Sequence, residues 1–257
     1  MPALTDLAHE AGAAIMAIYA KVDHGERRKS DASPVTDADH AAEAVILAGL
    51  ARLTPGIPVV AEEEVAAGRM PDVRGGPFWL VDPLDGTKEF LKRNGEFTVN
   101  IALVEDGRVA LGVVSQPTID TTWRGVVGLG AEIVVDRAPP RPIATRRPPA
   151  AGYTVFASRS TAIYSQLDIW LRNNGVPVAE RKQAGSSLKF CLIAAGEADI
   201  YPRFGPTMEW DTAAGQAVLE AAGGEVRDDS TGAPLRYGKP GHKNPWFVAR
   251  GVPAGRS

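Results

Sequence analysis

Two aspartates three positions apart, Asp82 and Asp85, stand in WLVDPLDGTKEF with Gly86 and Thr87 directly after them. Carboxylates are hard oxygen ligands, suited to a hard cation. Pro83 biases Asp82 toward extended backbone and is expected to end the strand FWLV there. Gly86 accepts a backbone conformation that other residues resist, and Thr87 is expected to cap a short helix, KEFL, whose first amides face outward. Such amides attract a phosphate, whereas neighbouring carboxylates repel one unless cations lie between them. The stretch therefore asks for Mg²⁺ and a phosphate together. The ordinary alternative is a solvated acidic Asp-Gly turn.

Three further acidic sites repeat the theme, each with an ordinary reading beside it. Glu62, Glu63 and Glu64 follow the apolar run IPVVA, either as a solvated loop or as acids sharing a metal. Thr36 and Asp39, in SPVTDADHAAE, are spaced for a capping box. Asp211 follows Trp210 and precedes Ala213, Ala214 and Gly215, either as an N-cap or at a helix end that a ligand can approach closely. Gly185, Ser186 and Ser187 precede another helix with Lys189 one turn inside it. They are candidates for substrate contact, or else a cap and a solvated lysine. Arg203, in YPRFGP, is a candidate partner for a second phosphate.

Several chemistries are excluded. A haloacid-dehalogenase-type nucleophile would need an aspartate where Pro83 stands. The ligand spacing of an EF-hand is absent, no G-x-S-x-G elbow occurs, and the four histidines lack metal spacing.

The elements that must position these residues read as a mixed α/β chain. Leu4, Leu7, Ala11, Ile15 and Tyr19 recur at helical spacing. The charged loop HGERRKSDASP leads to a second helix, TDADHAAEAVILAGLARL, capped by Thr36 and stopped at Pro55-Gly56. FTVNIALV and RVALGVVS flank Asp106-Gly107, a hairpin signal. The stretch DRAPPRPIATRRPPA, rich in proline and arginine, reads as a connection between a first domain, 1–140, and a second, 141–257. Beyond it YTVFAS, TAIYSQLDIWLRNNG, VAERKQAG, a helix from Ser187 and ADIYPR alternate strand and helix patterns, implying a second α/β unit.

With 28 basic and 31 acidic residues, a formal charge of −3 gives no basic stripe for a nucleic-acid polymer. No apolar run reaches the roughly 20 residues of a membrane span. The single cysteine, Cys191, lies in a largely apolar run and fits a reducing compartment as a buried thiol. Cytoplasmic location is the expectation, with peripheral association at the inner membrane left open, as is the choice between monomer and homodimer.

In their order, EE, DPLDGT and WDTAAG resemble the lithium-sensitive, Mg²⁺-dependent phosphatase superfamily of inositol monophosphatases, fructose-1,6-bisphosphatases and bisphosphate nucleotidases. The resemblance runs from about Lys29 to Gly224. TKEFLKRNGEFTVNIALVEDG and GSSLKFCLIAAGEADIYPRFGPTMEWDTAAG look like the CysQ-type 3′(2′),5′-bisphosphate nucleotidases, where an inositol monophosphatase typically has Thr-Asn-Phe after Gly-Thr. The resemblance implies an αβαβα layered sandwich and hydrolysis of a small phosphate ester, adenosine 3′,5′-bisphosphate, with two or three Mg²⁺ ions and inhibition by Li⁺. Position by position it assigns Glu63 to one metal, Asp82 as a bridge, the Leu84 carbonyl to the first metal, and Asp85 with Asp211 to the second. Glu62 would stand behind the ligands. Ala61, where the family has glycine or serine, and the extra acid Glu64 leave the choice among the three glutamates open. Thr87 and Asp39, with Glu63, would activate water, and the Gly86 and Thr87 amides would hold phosphate. The substrate side would combine Glu63, Leu84, Asp85, Gly86, Thr87 and Asp211 with Gly185, Ser186, Lys189 and Arg203. An inositol or sugar phosphatase of the same superfamily is the near alternative, and a non-catalytic Mg²⁺ and nucleotide sensor the distant one.

Overall fold

Along FWLV successive side chains turn to opposite faces of a sheet, and an unbroken apolar run implies that both faces are covered. The computed structural model describes residues 1–29, 33–157 and 161–251, with the backbone alone for 161–164. Residues 30–32 of the charged loop and Ser158 of YTVFAS lie outside it.

The chain opens with α1 (Pro2–Tyr19), a ribbon of β1 (Arg27–Arg28) and β2 (Pro34–Val35), and α2 (Asp37–Leu53). Next come β3 (Val59–Ala61), α3 (Glu62–Ala66), β4 (Phe78–Asp85) and α4 (Thr87–Leu91). An antiparallel run follows: β5 (Thr98–Glu105), β6 (Arg108–Gln116), β7 (Thr121–Val126), β8 (Gly130–Val135) and β9 (Arg141–Ile143). The rest comprises β10 (Tyr153–Phe156), α5 (Thr161–Asn173), β11 (Val178–Lys182), α6 (Leu188–Ala194), β12 (Ile200–Arg203), α7 (Glu209–Ala221), β13 (Glu225–Asp228) and β14 (Phe247–Arg250). Strands β3 to β9 form a seven-stranded sheet in sequence order, and a five-stranded sheet runs β11-β10-β12-β14-β13.

Alternation then sorts the core into layers. Trp79, Val81, Ile101 and Val113 pack with Ile15, Ile46 and Leu50 of α1 and α2. Their neighbours Phe78, Leu80, Ala102 and Val114 face the other way, onto Phe190 of α6 and Val218 of α7. Phe156, Tyr201 and Phe247 of the second sheet meet the same two helices, while Val155, Ile200 and Val248 pack outward on Leu167 and Leu171 of α5. The order helix pair, sheet, helix pair, sheet, helix is the expected αβαβα sandwich. No helix of the described residues is long and apolar enough to cross a membrane.

Four local expectations change. Strand β4 runs through Pro83 to Asp85 instead of stopping, because an irregularity in its pairing with β5 absorbs the proline. Helix α4 is capped by Gly86 at φ 97°, with Thr87 its first residue and not its cap. Helix α7 starts at Glu209 after Met208, which puts Asp211 at the third helical position and not at the cap. The small residues after Asp211 serve helix-on-sheet packing: a Cβ on Gly112 of β6 would lie 2.5 Å from the Ala214 carbonyl oxygen, and one on Gly215 would lie 2.7 Å from the Phe190 ring. The expected connection DRAPPRPIATRRPPA carries edge strand β9, where Pro142 is tolerated, and Arg146 in it makes a two-pronged pair with buried Asp199 at 2.9 and 3.0 Å.

Candidate active site

The irregularity in β4 decides where its two aspartates point. Asp82 pairs with Asn100 and Asp85 with Thr98, so three steps along β4 match two along β5. In a regular strand, residues three apart face opposite sides. The extra residue of the bulge brings Asp82 and Asp85 to the face shared by Thr98 and Asn100, which is the face covered by α7. There Asp82 joins Asp211 of α7 and Glu62 of α3: one carboxylate oxygen from each lies within 4.8 Å of the others. The bulge is closed by the Leu84 amide, which donates to Asp82 Oδ1 at 3.0 Å.

That trio contains Glu62 where Glu63 had been expected. The residues after β3 form the short helix α3, so successive side chains diverge by about 100°. Glu62 faces the aspartates and Glu64 turns outward to Arg69 at 2.6 Å. Glu63 is buried behind them, its amide held by Glu43 Oε2 at 2.9 Å. Lys29 Nζ lies 2.6 Å from both Glu62 Oε1 and Glu63 Oε1. Burial opposes the charge on Lys29, but the two carboxylates more than offset it and raise its pKa.

Asp39 caps its helix with one carboxylate oxygen and reaches Thr87 with the other. Its Oδ2 accepts from the Thr36 amide at 2.7 Å and from the Thr36 hydroxyl at 2.8 Å, closing the capping box of α2. Its Oδ1 accepts from Thr87 Oγ1 at 3.2 Å. Thr87 stands beside the Leu84 carbonyl, 3.5 Å away, and Gly86 precedes it. Gly86 has to be glycine twice over, because its φ is positive and a Cβ there would collide with Ser186 Oγ.

The trio opens on a cleft of about 480 Å³ lined by Glu62, Asp82, Leu84, Asp85, Gly86, Thr87 and Asp211. A second cavity of about 270 Å³ shares Asp85, Gly86 and Asp211 with it and is walled by Gly185, Ser186, Lys189, Tyr201 and Arg203. Of the sequence-derived candidates, Asp82, Leu84, Asp85, Gly86, Thr87, Gly185, Ser186, Lys189, Arg203 and Asp211 line one or both spaces, whereas Ser187 and Glu64 line neither. Asp39 and Glu63 stand behind the walls, bonded to Thr87 and Lys29. Lys189 is neither cap nor solvated: it is buried, donating to the Ala184 and Ser186 carbonyls at 3.0 and 2.7 Å, and so it braces the loop. Ser186, at φ 48°, donates to the Asp85 and Glu96 carbonyls, and the Gly185 amide donates to Glu96 Oε2. Arg203 reaches the Pro206 carbonyl at 3.2 Å, while its buried Nε has no hydrogen-bond partner among the described residues.

Electrostatics marks the acidic pole. Burial, then repulsion from Glu62, Asp85 and Asp211, pushes Asp82 well above the usual carboxylate range. Burial, then Asp85 and Glu62, does the same to Asp211. Burial lifts Asp85 to about 6 against the opposing pull of Lys189, and lifts Glu43 to about 7. Burial also raises Asp39 and Glu63. A carboxyl that holds its proton more tightly when folded stabilises the fold below its unfolded pKa, near 3.9 to 4.3, and loses that contribution as pH rises through the folded value. For Asp85 the rise is on the order of 3 kcal/mol against the folded state at pH 8. In EDTA the melting temperature should thus fall between pH 5 and pH 8, and Mg²⁺ should raise it far more at pH 8 than at pH 5. Differential scanning fluorimetry checks both; a melting temperature that climbs with pH in EDTA contradicts the picture.

Sequence reasoning missed a neighbouring network. Glu209, wholly buried at the start of α7, accepts from the Gly238 and Lys239 amides, Lys239 Nζ and His242 Nδ1 at 2.6 to 3.0 Å. It pins the segment 238–242 against the helix that presents Asp211. A glutamate beside a tryptophan carries no such signal in one dimension.

Comparisons with known proteins point to one family. The sequence model of the inositol monophosphatase family matches residues 2–246. The 3′(2′),5′-bisphosphate nucleotidase CysQ of Salmonella typhimurium (strain LT2) is 48% identical over 231 residues, 86% of this chain and 87% of that protein. Its counterpart in Escherichia coli (strain K12) is 46% identical over 240 residues, 90% and 91% of the two chains. Among solved structures, CysQ from Bacteroides thetaiotaomicron superposes with a TM-score of 0.80 at 38% identity, covering 97% of each chain. Inositol monophosphatase from Anabaena does so with 0.77 at 26%, covering 98% of this chain and 90% of the other.

Proposed function

The chain belongs to the inositol monophosphatase family, and from that premise we propose that it is a Mg²⁺-dependent 3′(2′),5′-bisphosphate nucleotidase, hydrolysing adenosine 3′,5′-bisphosphate to AMP and phosphate. One observation carries the reading. The cleft that holds the acidic trio shares the walls Asp85 and Asp211 with the neighbouring cavity, so a ligand with two phosphates meets cation ligands at one end and a wall that includes Lys189 and Arg203 at the other.

The donor set fits Mg²⁺: all three groups are hard carboxylates, and their mutual repulsion is relieved by a compact divalent cation. Glu62, Asp82 and Asp211 would hold it, with Asp85 and the Leu84 carbonyl as further ligands. Once bound, such cations neutralise phosphate charge and lower the pKa of water. The protein's own part is positional. Asp39 Oδ1 engages the Thr87 hydroxyl proton, so Thr87 Oγ1 presents lone pairs that orient an attacking water. The start of α4 at Gly86 and Thr87 directs amides toward the phosphate. Gly185, Ser186, Lys189 and Arg203 form the wall for the second phosphate and the nucleoside, with the Arg203 guanidinium as a source of positive charge there. Water attacks directly, and no side chain is phosphorylated. The cytoplasm suits the protein, since Cys191 is a buried thiol.

Phosphate release tests the reading, with adenosine 3′,5′-bisphosphate, inositol 1-phosphate and fructose 1,6-bisphosphate compared with and without Mg²⁺. The nucleotide should be fastest, and release should vanish in EDTA. Equal rates on all three substrates would overturn the nucleotidase assignment, and no release on any would overturn the phosphatase assignment.

A further inference from the structure

Asn100 of β5 is 1% exposed and stands opposite Asp82, yet its side chain serves Asp85: Nδ2 donates to Asp85 Oδ2 at 3.3 Å. On its other side Oδ1 meets Thr98 Oγ1 at 3.1 Å and Ser187 Oγ at 2.8 Å. The orientation of this amide is forced. An ionised carboxylate only accepts, so the amide nitrogen has to face Asp85, and its oxygen then takes the hydroxyl protons. Ser187 comes from the loop before α6 and donates its backbone amide to Asp85, while the neighbouring Ser186 hydroxyl donates to the Asp85 carbonyl. Three chain segments, β4, β5 and the 184–187 loop, thus converge on one carboxylate. Asn100 is the side chain that touches both the carboxylate of the first and a hydroxyl of the third.

We propose that Asn100 is a positioning residue that fixes the Asp85 carboxylate for the divalent cation and ties it, through Ser187, to the loop forming the substrate wall. The proposal rests on the reading of the acidic cleft as a Mg²⁺ site. Asn100 takes up one oxygen of Asp85 and stops the carboxylate from rotating away from the cleft. A side chain that orients a ligand in this way typically changes cation affinity by 10- to 100-fold when removed.

The test is Asn100→Leu, which keeps the volume and removes the amide. Thr98 Oγ1 and Ser187 Oγ lie 2.9 Å apart and can pair with each other, so no buried hydroxyl is stranded and the fold should survive. Calorimetric titration of the substrate-free variant with Mg²⁺ should show a Kd at least about tenfold weaker than wild type. The Mg²⁺ concentration for half-maximal phosphate release should rise by the same factor, with kcat at saturating Mg²⁺ reduced by less. Ser187→Ala, which frees only one side of the Asn100 amide, should weaken Mg²⁺ by about two- to threefold. A purely structural role would lower the melting temperature and leave the Mg²⁺ Kd unchanged, and that outcome overturns the proposal. If Asn100→Leu does not fold, an unchanged Kd in Ser187→Ala overturns it instead. Wild-type protein that neither binds Mg²⁺ nor depends on it overturns the underlying reading, whatever the variants do.

Discussion

Asp82→Asn should lower Mg²⁺-dependent phosphate release by at least about 10³-fold while leaving a cooperatively melting protein. Asp82 is 2% exposed and is the member of the trio set in the sheet itself, between Glu62 on α3 and Asp211 on α7. Asparagine keeps an oxygen for the Leu84 amide, so the bulge that aims residues 82 and 85 should persist. It also removes one of several buried charges that repel one another, so the metal-free melting temperature should equal or exceed that of wild type. Phosphate release, scanning fluorimetry in EDTA and Mg²⁺ calorimetry on the same preparation separate these effects. Normal Mg²⁺-dependent release by this variant would sink the assignment of Asp82 as a cation ligand.

Glu62→Gln and Glu63→Gln should part company. The first removes a carboxylate whose oxygen stands with those of Asp82 and Asp211, and it should cost about 10²-fold or more in turnover. The second removes a charge that is buried behind the site and bonded to Lys29, while the contact of Glu43 with the residue 63 amide is kept. It should cost less than about tenfold, mainly as a weaker hold on the Lys29 segment. Steady-state kinetics across a Mg²⁺ series checks the order. The reverse order would restore the assignment of Glu63 to the metal and put Glu62 behind it.

The contrast between these two glutamates shows where one-dimensional reading stops. Three acids in a row are indistinguishable along the chain. Helix α3 sends them in three directions, and only the neighbours waiting there, Asp82 and Asp211, Lys29 and Glu43, and Arg69, give each a role. Lys29 is more than thirty residues from the carboxylates it binds. Asn100 and Ser187 lie 87 residues apart, and neither carries a motif of its own. The Thr36–Asp39 capping box was legible because both partners fall within one helical turn, as was the hairpin at Asp106 and Gly107, whose φ values of 50° and 71° suit a two-residue turn.

By itself the sequence determined what local sterics and periodicity can determine. A mixed α/β chain follows from apolar periodicity, its αβαβα order was implied by the family resemblance, and the turn after Asp85 follows from the backbone freedom of Gly86. The family followed from the order of three motifs. The tertiary structure decided which carboxylates meet. The β4 bulge turned Asp82 and Asp85 to the same face, and close packing of α7 on Gly112 brought Asp211 toward them. Directions of side chains on a bulge or a one-turn helix depend on what they pack against. A charge buried in company is settled by partners that only folding assembles.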